Sequence, residues 1–529
     1  MNKALVLFLL PFLVLCGCSG DRNTPSVEAI GGKAHVSQLS ENLPMILLEG
    51  TSYEIGFYHG RLLKEMIEEL VQTMDEIVLG DRSIKRLAGS FIARSNILEM
   101  KKHIPTEFML EMEGISDGSG VAFDKILMLN AFDDLYNLSG CTNVAVWGSG
   151  TGSSELIHGR NLDYDFAKKL WDKGIVFLVK PVDGIAFVSL GFPGMVGVVS
   201  AMNAEGLSLG SMTSSRVNNT FDGVPTQILY RQIIQNASTI SESHEILLSS
   251  ERTIGNNLLI ASAKDAKAVV FEIDSKEVLI RESMNVISAA NHFSFLHNDS
   301  KSTGSVFRET RARELITRIT DSESIVDTLE MAKILADRVT EREHMHTIAN
   351  QSTIHSVIFL PSQKQIWFAA NEVLPASFGM YYGFEFMDGN LTEIGYLPVD
   401  YYYLDNLSRT YYPEDYWTIE RVFSTVEKYA SQEKRGFGFY IQDMEIGAFL
   451  LKKGLYVEAI SHIERVDTEA RGKWTKARKL TLLVEAYLFA GNAERAEEFA
   501  REVLEMDDDL SYYKNRVREF LEKHSQIAN

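Results

Sequence analysis

The sequence predicts an α+β domain of helical and sheet layers, followed by a helical extension. Three observations lead to this fold class. Residues 45–140 carry apolar residues at helical spacing, residues 141–400 contain short strand-like runs separated by turns, and residues 415–529 return to helical spacing. Separate runs of short strands and of helices are typical of a layered α+β domain. A chain of 529 residues is also long enough for more than one domain.

The first residues are typical of a targeting segment. Lys3 precedes an apolar run over 4–15 that is too short to span a bilayer. The ending Leu-Cys-Gly-Cys resembles the bacterial lipobox, which implies cleavage before Cys18 and attachment of lipid to it. We therefore expect a lipoprotein signal peptide over 1–17 and a linker over 18–44.

The residue after the lipid-bearing cysteine bears on location. Ser19 differs from the aspartate that retains lipoproteins in the inner membrane of many Gram-negative bacteria. We expect a protein of the bacterial cell envelope, lipid-anchored in the outer membrane and facing the periplasm or the cell surface. Ordinary secretion with cleavage near Gly20 is the alternative.

Residues 45–140 are predicted to form a helical segment. Thr51 with Glu54 is a helix-start signal, and apolar residues follow at helical spacing. From Cys141 the period changes to that of strands, with runs such as 174–180, 185–191 and 195–201 separated by turn residues. The formal charge of −20 argues against a nucleic-acid partner, because such proteins need a basic face.

The C-terminal segment contains two similar stretches. Gly454 corresponds to Gly491 and Ala459 to Ala496, a period of 37 residues in the sequence. This resembles tetratricopeptide-type helical hairpins, whose period is about 34 residues. We expect two such units to pack on the main domain and to offer a surface for a protein partner; a plain helical tail is the alternative.

Cys141 stands out because it is the only cysteine outside the first eighteen residues. It cannot belong to a disulfide framework, and a buried free cysteine is the simplest interpretation. However, a hairpin with its loop centred near residue 151 places Arg160 opposite residue 142 and Asp163 just beyond Cys141. A guanidinium beside a thiol favours the thiolate, which makes Cys141 a candidate nucleophile.

A nucleophilic cysteine needs a base. His158 shares a strand face with Arg160 and is one candidate. The other is the α-amine of Cys141 itself, which would be released by cleavage between Gly140 and Cys141. The residues alone leave both open.

Four stretches together resemble a known family. These are residues 53–63, 111–135, 140–148 and 156–165, which include Gly-Cys-Thr and Gly-Arg-Asn-Leu-Asp. They are similar to the acyl-CoA:6-aminopenicillanic acid acyltransferase family of N-terminal-nucleophile cysteine hydrolases, related to the bile salt hydrolases, penicillin V acylases and acid ceramidases. The resemblance implies an αββα sandwich, activated by autoproteolysis between Gly140 and Cys141 into pieces 18–140 and 141–529. Residues 45–140 would be the helical pro-segment and 141–400 the catalytic part.

The resemblance also implies roles for single residues. Cys141 corresponds to the nucleophile, Asp163 to the residue that orients its α-amine, and Arg160 to the arginine beside the thiolate. Asn291 corresponds to an asparagine that helps to hold the oxyanion, and Arg308 to a late arginine of the site.

Two assignments are less specific. Arg311 is the alternative register for Arg308, three positions away. Thr213 is the candidate for a second oxyanion group, because it follows the Asn-Ala-Glu-Gly turn at 203–206.

The function expected from these observations is hydrolysis of the amide bond of an N-acyl small molecule through an acyl-enzyme, with no cofactor. An acyltransferase differs only in that an amine intercepts the acyl-enzyme. A non-enzymatic lipoprotein scaffold is the alternative from another class. A zinc hydrolase built on Glu343, His344, His346 and His355 is the third, but these residues lack a motif such as His-Glu-x-x-His, so no metal is expected.

Overall fold

Two β-sheets form the centre of the protein. The first contains, in spatial order, β1 (Lys33–Ser40), β2 (Leu43–Gly50), β5 (Ile175–Pro181), β6 (Phe187–Gly191), β7 (Ser200–Asn203), β8 (Leu207–Thr213), β9 (Asn256–Ser262), β10 (Lys267–Ile273) and β11 (Val278–Arg281). The second contains β12 (Val286–Ala289), β3 (Ser139–Trp147), β4 (Leu156–Tyr164), β13 (Thr353–Leu360), β14 (Gln365–Ala369), β15 (Tyr381–Met387) and β16 (Asn390–Leu397). All neighbours pair antiparallel except β2 and β5, which are parallel.

The helices pack around the two sheets. They are α1 (Ser52–Leu62), α2 (Lys64–Leu79), α3 (Thr106–Ser119), α4 (Phe123–Asn130), α5 (Phe132–Leu135), α6 (Ala167–Leu170), α7 (Thr226–Asn236), α8 (Ile240–Ser249), α9 (Thr303–Asp321), α10 (Thr328–Leu335), α11 (Tyr456–Glu464), α12 (Gly472–Phe489), α13 (Ala493–Glu505) and α14 (Ser511–Ala528). In the described part of the chain, short 3₁₀ turns lie at Lys101–His103, Gly148–Gly150, Pro361–Gln363 and Ala376–Phe378.

This computed structural model describes a defined part of the chain, and residues 32–529 form one unit. The described residues are 31–40, 43–79, 95–135, 139–152, 155–164, 167–214, 217–297, 302–337, 347–350, 352–369, 375–379, 381–397, 443, 447–448, 450–451, 454–466, 468, 472–506 and 510–528. Cys18 and the predicted signal peptide lie outside them. Among the described helices, none has the length and apolar character needed to cross a membrane.

The alternation of strand residues sorts the core into layers. On β5, Phe177 packs toward α1, α3 and α7, whereas Leu178 faces the second sheet. On β3, Val144 packs toward Ala312 of α9, while Ala145 lies between the sheets. Two-residue periodicity therefore gives helices, sheet, sheet and helices in succession. The predicted mixed α and β fold is confirmed.

Local sequence explains the start and the packing of α1. The hydroxyl of Thr51 accepts the backbone N–H of Glu54, and the Glu54 carboxylate accepts the N–H of Thr51. This capping box satisfies donors that a helix start leaves unpaired. Gly56 and Gly60 then face the backbone of α3 so closely that a Cβ at either would lie about 2 Å from a carbonyl oxygen. Glycine is therefore required at this helix crossing.

The predicted linker over 18–44 is too long. Residues 33–40 form β1, which pairs with β2 with Val36 opposite Ile46. β1 is an edge strand whose side chains are mostly exposed or half-buried. Its alternating polar sequence therefore gave little hydrophobic signal. The helical segment predicted from residue 45 begins only after β2, whose apolar residues Leu43, Ile46 and Leu48 are buried in the sheet.

The C-terminal helices continue the inter-sheet core. Side chains of α12, α13 and α14, including Val484 and Val503, share one apolar cluster with Phe368 and Phe384 of the second sheet. The extension therefore packs on the main domain, as expected.

The two similar stretches of the extension also share a turn. Gly454 and Gly491 both have positive φ, and both donate to the carbonyl three residues earlier, at 3.0 and 3.1 Å. In both, the next N–H donates to the carbonyl five residues earlier, as in a glycine-ended helix cap. The tetratricopeptide-type assignment itself stays a prediction.

Candidate active site

Cys141 lies on β3 between the two sheets, and 1% of its surface is exposed. It shares an apolar cluster with Leu162 of β4, Phe132 of α5 and Met212 of β8. Gly140 precedes it in the same strand, so the bond predicted to be cut belongs to a regular sheet ladder. A Cβ at Gly140 would lie 3.2 Å from a carboxylate oxygen of Asp163. The small residue thus leaves room for that carboxylate beside the bond.

The β3–β4 hairpin brings the predicted residues together, with a register one residue away from the predicted one. Asn143 pairs with Arg160, and Gly140 pairs with Asp163. The last pair is Trp147 with Leu156, so the connection of eight residues is centred between 151 and 152. The side chain of Arg160 nevertheless reaches Cys141, with 3.8 Å between Nη2 and Sγ.

Arg160 is fixed by neutral acceptors of the opposite sheet. Its Nε donates to Ser200 Oγ at 2.5 Å, and its Nη1 donates to the carbonyl of Ser211. The approach requires Gly210, where a Cβ would lie 1.9 Å from Asn143 Oδ1 and 3.0 Å from Arg160 Cδ. The guanidinium is therefore held in one orientation toward the sulfur.

The charge balance at the thiol differs from the sequence-based expectation. Burial raises the pKa of Cys141 to about 11, although Arg160 opposes this rise. The charge of Asp163 adds to the rise, whereas a backbone hydrogen bond from Asp163 lowers the pKa. In the uncut chain the thiol is consequently protonated at neutral pH, because loss of solvent outweighs the single guanidinium.

Asn291 and Arg308 contact the backbone of Cys141. The amide oxygen of Asn291 accepts the Cys141 N–H at 2.8 Å and Arg308 Nη2 at 2.5 Å. Arg308 also donates to the Cys141 carbonyl at 3.2 Å and to Thr142 Oγ1 at 3.1 Å. Asn291 Nδ2 donates to the carbonyl of Thr213 at 2.8 Å. In the uncut chain Asn291 thus binds the nitrogen of Cys141, and the predicted oxyanion role stays a prediction.

The two less specific assignments have different outcomes. Arg311, the alternative to Arg308, forms a buried ion pair with Asp337 at 2.9 Å and lies outside the cluster. Thr213 enters the site through its carbonyl, which accepts from Asn291. Arg308 is therefore the arginine that lies beside Cys141, and its role, like that of a second oxyanion group at Thr213, stays a prediction.

Asp163 is held by two residues that sequence reasoning missed. Thr353 Oγ1 and Asn350 Nδ2 each donate to its carboxylate at 2.7 Å. Burial raises the pKa of Asp163, although Arg308 and these hydrogen bonds pull it down. Both partners precede or begin β13, nearly 190 residues along the chain. Their only sequence signal is the Ala-Asn-Gln-Ser-Thr turn before a strand.

A second missed carboxylate lies at the end of the predicted pro-segment. Asp133 accepts from the hydroxyl of Tyr164 at 2.6 Å and from Gln227 Nε2 at 2.8 Å. Its neighbour Asp134 accepts from the N–H of Thr226 at 3.2 Å. These buried contacts join the chain before Cys141 to β4 and α7, which follow it.

The prediction that His158 is a candidate base is not supported by its contacts. Its Nδ1 lies 3.0 Å from Ser208 Oγ and its Nε2 3.0 Å from Asn143 Oδ1. Burial, helped by Arg160, lowers the pKa of His158 to about 3. Both nitrogens are thus engaged away from Cys141, which leaves the α-amine as the candidate base.

The zinc alternative finds no support in the described residues. Glu343, His344 and His346 lie outside them, and His355 is buried on β13 against Phe192. Within the described part of the chain, no three His, Cys, Asp or Glu side chains are grouped to hold a metal ion.

Comparison with known proteins identifies relatives of this chain. Residues 150–373 match the family model of acyl-coenzyme A:6-aminopenicillanic acid acyl-transferase. This range includes Arg160, Asp163, Asn291 and Arg308 and begins nine residues after Cys141. The predicted resemblance is confirmed.

Curated relatives include an uncharacterized protein of Archaeoglobus fulgidus, 23% identical over 52% of this chain and 51% of that protein. Acid ceramidase of Rattus norvegicus is 22% identical over 37% of this chain and 57% of its own length. The N-acylethanolamine-hydrolyzing acid amidase of Caenorhabditis elegans is 25% identical over 32% and 52%. The chain spans about half the length of the curated relatives it matches.

The solved structures that resemble this chain are less similar to it in sequence than these curated relatives are. An ortholog of N-acylethanolamine-hydrolyzing acid amidase from Caenorhabditis elegans has a TM-score of 0.34 and 16% identity, covering 42% of this chain and 93% of that chain. A mutant of conjugated bile acid hydrolase from Clostridium perfringens has a TM-score of 0.30 and 16% identity, covering 48% and 92%. TM-scores of this size are too low to establish the fold, which is defined by the layers described above.

Proposed function

Because residues 150–373 of this chain are related to the acyl-transferase family, we propose that the protein is an N-terminal cysteine hydrolase. It activates itself by cutting the Gly140–Cys141 bond and then hydrolyses the amide bond of N-acyl small molecules. The observation that carries the proposal is the convergence of four side chains on Cys141. Arg160 lies at its sulfur, Asn291 and Arg308 at its backbone, and Asp163 beside the bond before it.

Maturation is an intramolecular acyl transfer followed by hydrolysis. The sulfur of Cys141 attacks the carbonyl carbon of Gly140, the peptide C–N bond breaks, and the nitrogen takes up the thiol proton. Water then hydrolyses the thioester, which leaves a carboxylate on Gly140 and a free α-amine on Cys141. Arg160 favours the thiolate that forms on the way, since it lies 3.8 Å from the sulfur.

In the mature enzyme the free α-amine is the base. It takes the thiol proton, the sulfur attacks the substrate's amide carbonyl, and the departing amine receives that proton. Water releases the acid from the thioester. Asn291 and Arg308 hold the nitrogen and carbonyl of Cys141 and so fix the direction of attack. Asp163 orients the new amine from the position opposite Gly140.

The acyltransferase alternative uses the same acyl-enzyme. Supplying hydroxylamine as an external amine and measuring the ratio of hydroxamate to free acid distinguishes the two. We expect free acid to dominate at millimolar amine.

Cleavage tests the proposal without a known substrate. Denaturing gels and N-terminal sequencing of purified wild-type protein should show a fragment that begins at Cys141. Cys141→Ala should remain one chain, because no sulfur can attack, and Cys141→Ser should split slowly through its oxygen. Active wild-type protein that contains only uncut chain would contradict the mechanism.

We also propose that Cys18 carries a lipid that anchors the protein in the cell envelope. Cys18→Ala should move the protein from the membrane fraction to the soluble fraction. Retention in the membrane would mean that another segment holds it.

A further inference from the structure

Asn291 needs support, because it lies just beyond the end of β12 and outside any regular ladder. Its amide oxygen must nevertheless stay 2.8 Å from the Cys141 nitrogen. Groups that act on a reacting centre have to be held within about 0.5 Å of the productive geometry. The residues that fix the backbone at Asn291 therefore matter for the chemistry.

Asn257 fixes that backbone on both sides. It lies on β9 of the first sheet and is fully buried. Its Nδ2 donates to the carbonyl of Ala290 at 2.8 Å and to the carbonyl of His292 at 2.6 Å. These two carbonyls flank Asn291, so one amide group holds the residue from either side and across the gap between the sheets.

The orientation of this amide is set by its partners. Two carbonyl oxygens accept hydrogen bonds and cannot donate them, so the nitrogen of Asn257 must face both. The amide oxygen of Asn257 has no hydrogen-bond partner among the described residues. A buried amide with an unpaired oxygen lowers the stability of the fold. Asn257 has this cost, and its nitrogen holds the chain at Asn291.

We propose that Asn257 is a positioning residue for the reaction of Cys141: its amide clamps the chain on both sides of Asn291 and thereby places the Asn291 oxygen at the Cys141 nitrogen. This inference rests on the proposed self-cleavage. The clamp acts through Asn291 and has no contact of its own with the reacting atoms in the described structure.

The clamp does not act alone on this segment. Glu272 of β10 accepts the backbone N–H groups of Ser294, Phe295 and Leu296 at 2.7 to 2.9 Å. These bonds hold the chain beyond His292. Of these two residues, Asn257 is thus the one whose hydrogen bonds act at Asn291 itself.

The fold offers a matched control. Asn203 is also fully buried, and its Nδ2 also donates to two carbonyls, those of Ile234 and Ala237, at 2.9 and 2.7 Å. These partners lie at the C-terminal end of α7. Asn203→Asp and Asn257→Asp therefore remove the same kind of bond, but only one of them is at Asn291.

The experiment measures the rate of splitting at Gly140–Cys141 and the thermal unfolding midpoint of wild type and both variants. In Asn257→Asp, a carboxylate faces the two carbonyls and repels them. We expect splitting to slow by about 10- to 100-fold, in line with the effect of a displacement near 1 Å. Asn203→Asp should split at close to the wild-type rate, even if its unfolding midpoint falls as far.

A pH profile adds a readout that stability alone would not move. Protonation gives the introduced carboxyl group one O–H donor, so the splitting rate of Asn257→Asp relative to wild type should recover as the pH falls. Asn257→Ser keeps one donor and should split at an intermediate rate, which preserves the test if the aspartate variant does not fold.

The outcomes separate this inference from the proposed function. If wild type does not split, the self-cleavage mechanism fails. If wild type splits and both Asn257 variants split at its rate, or if Asn203→Asp slows equally, the positioning role is overturned.

Discussion

Two buried arginine sites in this protein bond to different kinds of partner. Arg231 of α7 forms two hydrogen bonds with the Glu111 carboxylate of α3, at 3.0 and 3.2 Å, and both side chains are 3% exposed. Around Cys141, Arg160 and Arg308 donate to hydroxyl, carbonyl, amide and sulfur acceptors. Within the described residues, no carboxylate lies within ion-pair distance of either.

This difference separates a structural arginine from arginines suited to chemistry. A carboxylate partner cancels the charge of Arg231, which then serves to join two helices. Neutral acceptors orient Arg160 and Arg308 without an ion pair among the described residues, although both charges lower the pKa of Asp163. Their positive charge is available to a thiolate or an oxyanion that forms during a reaction.

The largest expected effect is at the paired arginine. Arg231→Ala leaves Glu111 buried without its partner and should destabilise the fold by about 3–5 kcal/mol in chemical denaturation. Arg308→Ala should cost much less stability but should slow self-cleavage, because its partners are neutral. Equal losses of stability in the two variants would contradict the comparison.

A buried carboxylate, Asp134, also has neutral partners instead of an ion-pair partner. Asp134 accepts from Thr226 and Thr253, and burial raises its pKa to about 6. The native state therefore binds more protons than the unfolded state between about pH 4 and 6, so stability should fall by about 3 kcal/mol as the pH rises through that window.

Denaturation at several pH values checks this expectation. As the pH rises from about 4 to 6, Asp134→Asn should become more stable relative to wild type. Asp172→Asn, an exposed carboxylate, is the control and should leave the profile unchanged. A constant difference between Asp134→Asn and wild type would show that Asp134 does not govern this window.

A smaller effect should appear at the sulfur. In mature protein, Arg160→Ala should raise the thiol pKa by about 1–3 units, because the positive charge beside the sulfur is lost. The alkylation rate with iodoacetamide should then rise only at higher pH. Arg160→Lys keeps the charge and should stay near the wild-type curve; an unchanged curve for Arg160→Ala would mean that the guanidinium does not act on this thiol.

The smallest effect concerns two buried histidines. His158 has partners for both ring nitrogens, whereas neither nitrogen of His355 has a partner among the described residues. His355→Leu should therefore stabilise the fold by roughly 1 kcal/mol, while His158→Leu should destabilise it by about 1–3 kcal/mol. Thermal unfolding measures both, and a destabilised His355→Leu would point to a polar partner for that ring.

Strand periodicity predicted the local part of the site, whereas the distant Asn291 and Arg308 came from the family resemblance. Cys141, Arg160 and Asp163 lie on one hairpin, so strand periodicity alone brought them close. The register was wrong by one residue, because the number of loop residues in a turn-rich connection is not fixed by pattern. The α+β class and most helices also followed from periodicity, whereas the αββα order was expected from the family resemblance.

Other features depend on long-range contacts. Asn350 reaches Asp163 across 187 residues, and Asn257 reaches the chain around Asn291 from the opposite sheet. Because asparagine is common at turns and strand ends, the residue type alone did not indicate that Asn350 and Asn257 support the site. Residues 195–201 read as a strand, but β7 begins at Ser200, because part of that run packs as irregular chain against the outer helices.

Gly210 carries no functional group, yet the separation of the two sheets at the site depends on it. A methyl group there would overlap Asn143 and press on Arg160. In a saturation mutagenesis scan, codon 210 should tolerate as little variation as the codon of a reacting residue. In a ranking of positions by mutational intolerance, Gly210 would stand beside the reacting residues, although its only role is to let the two sheets approach each other.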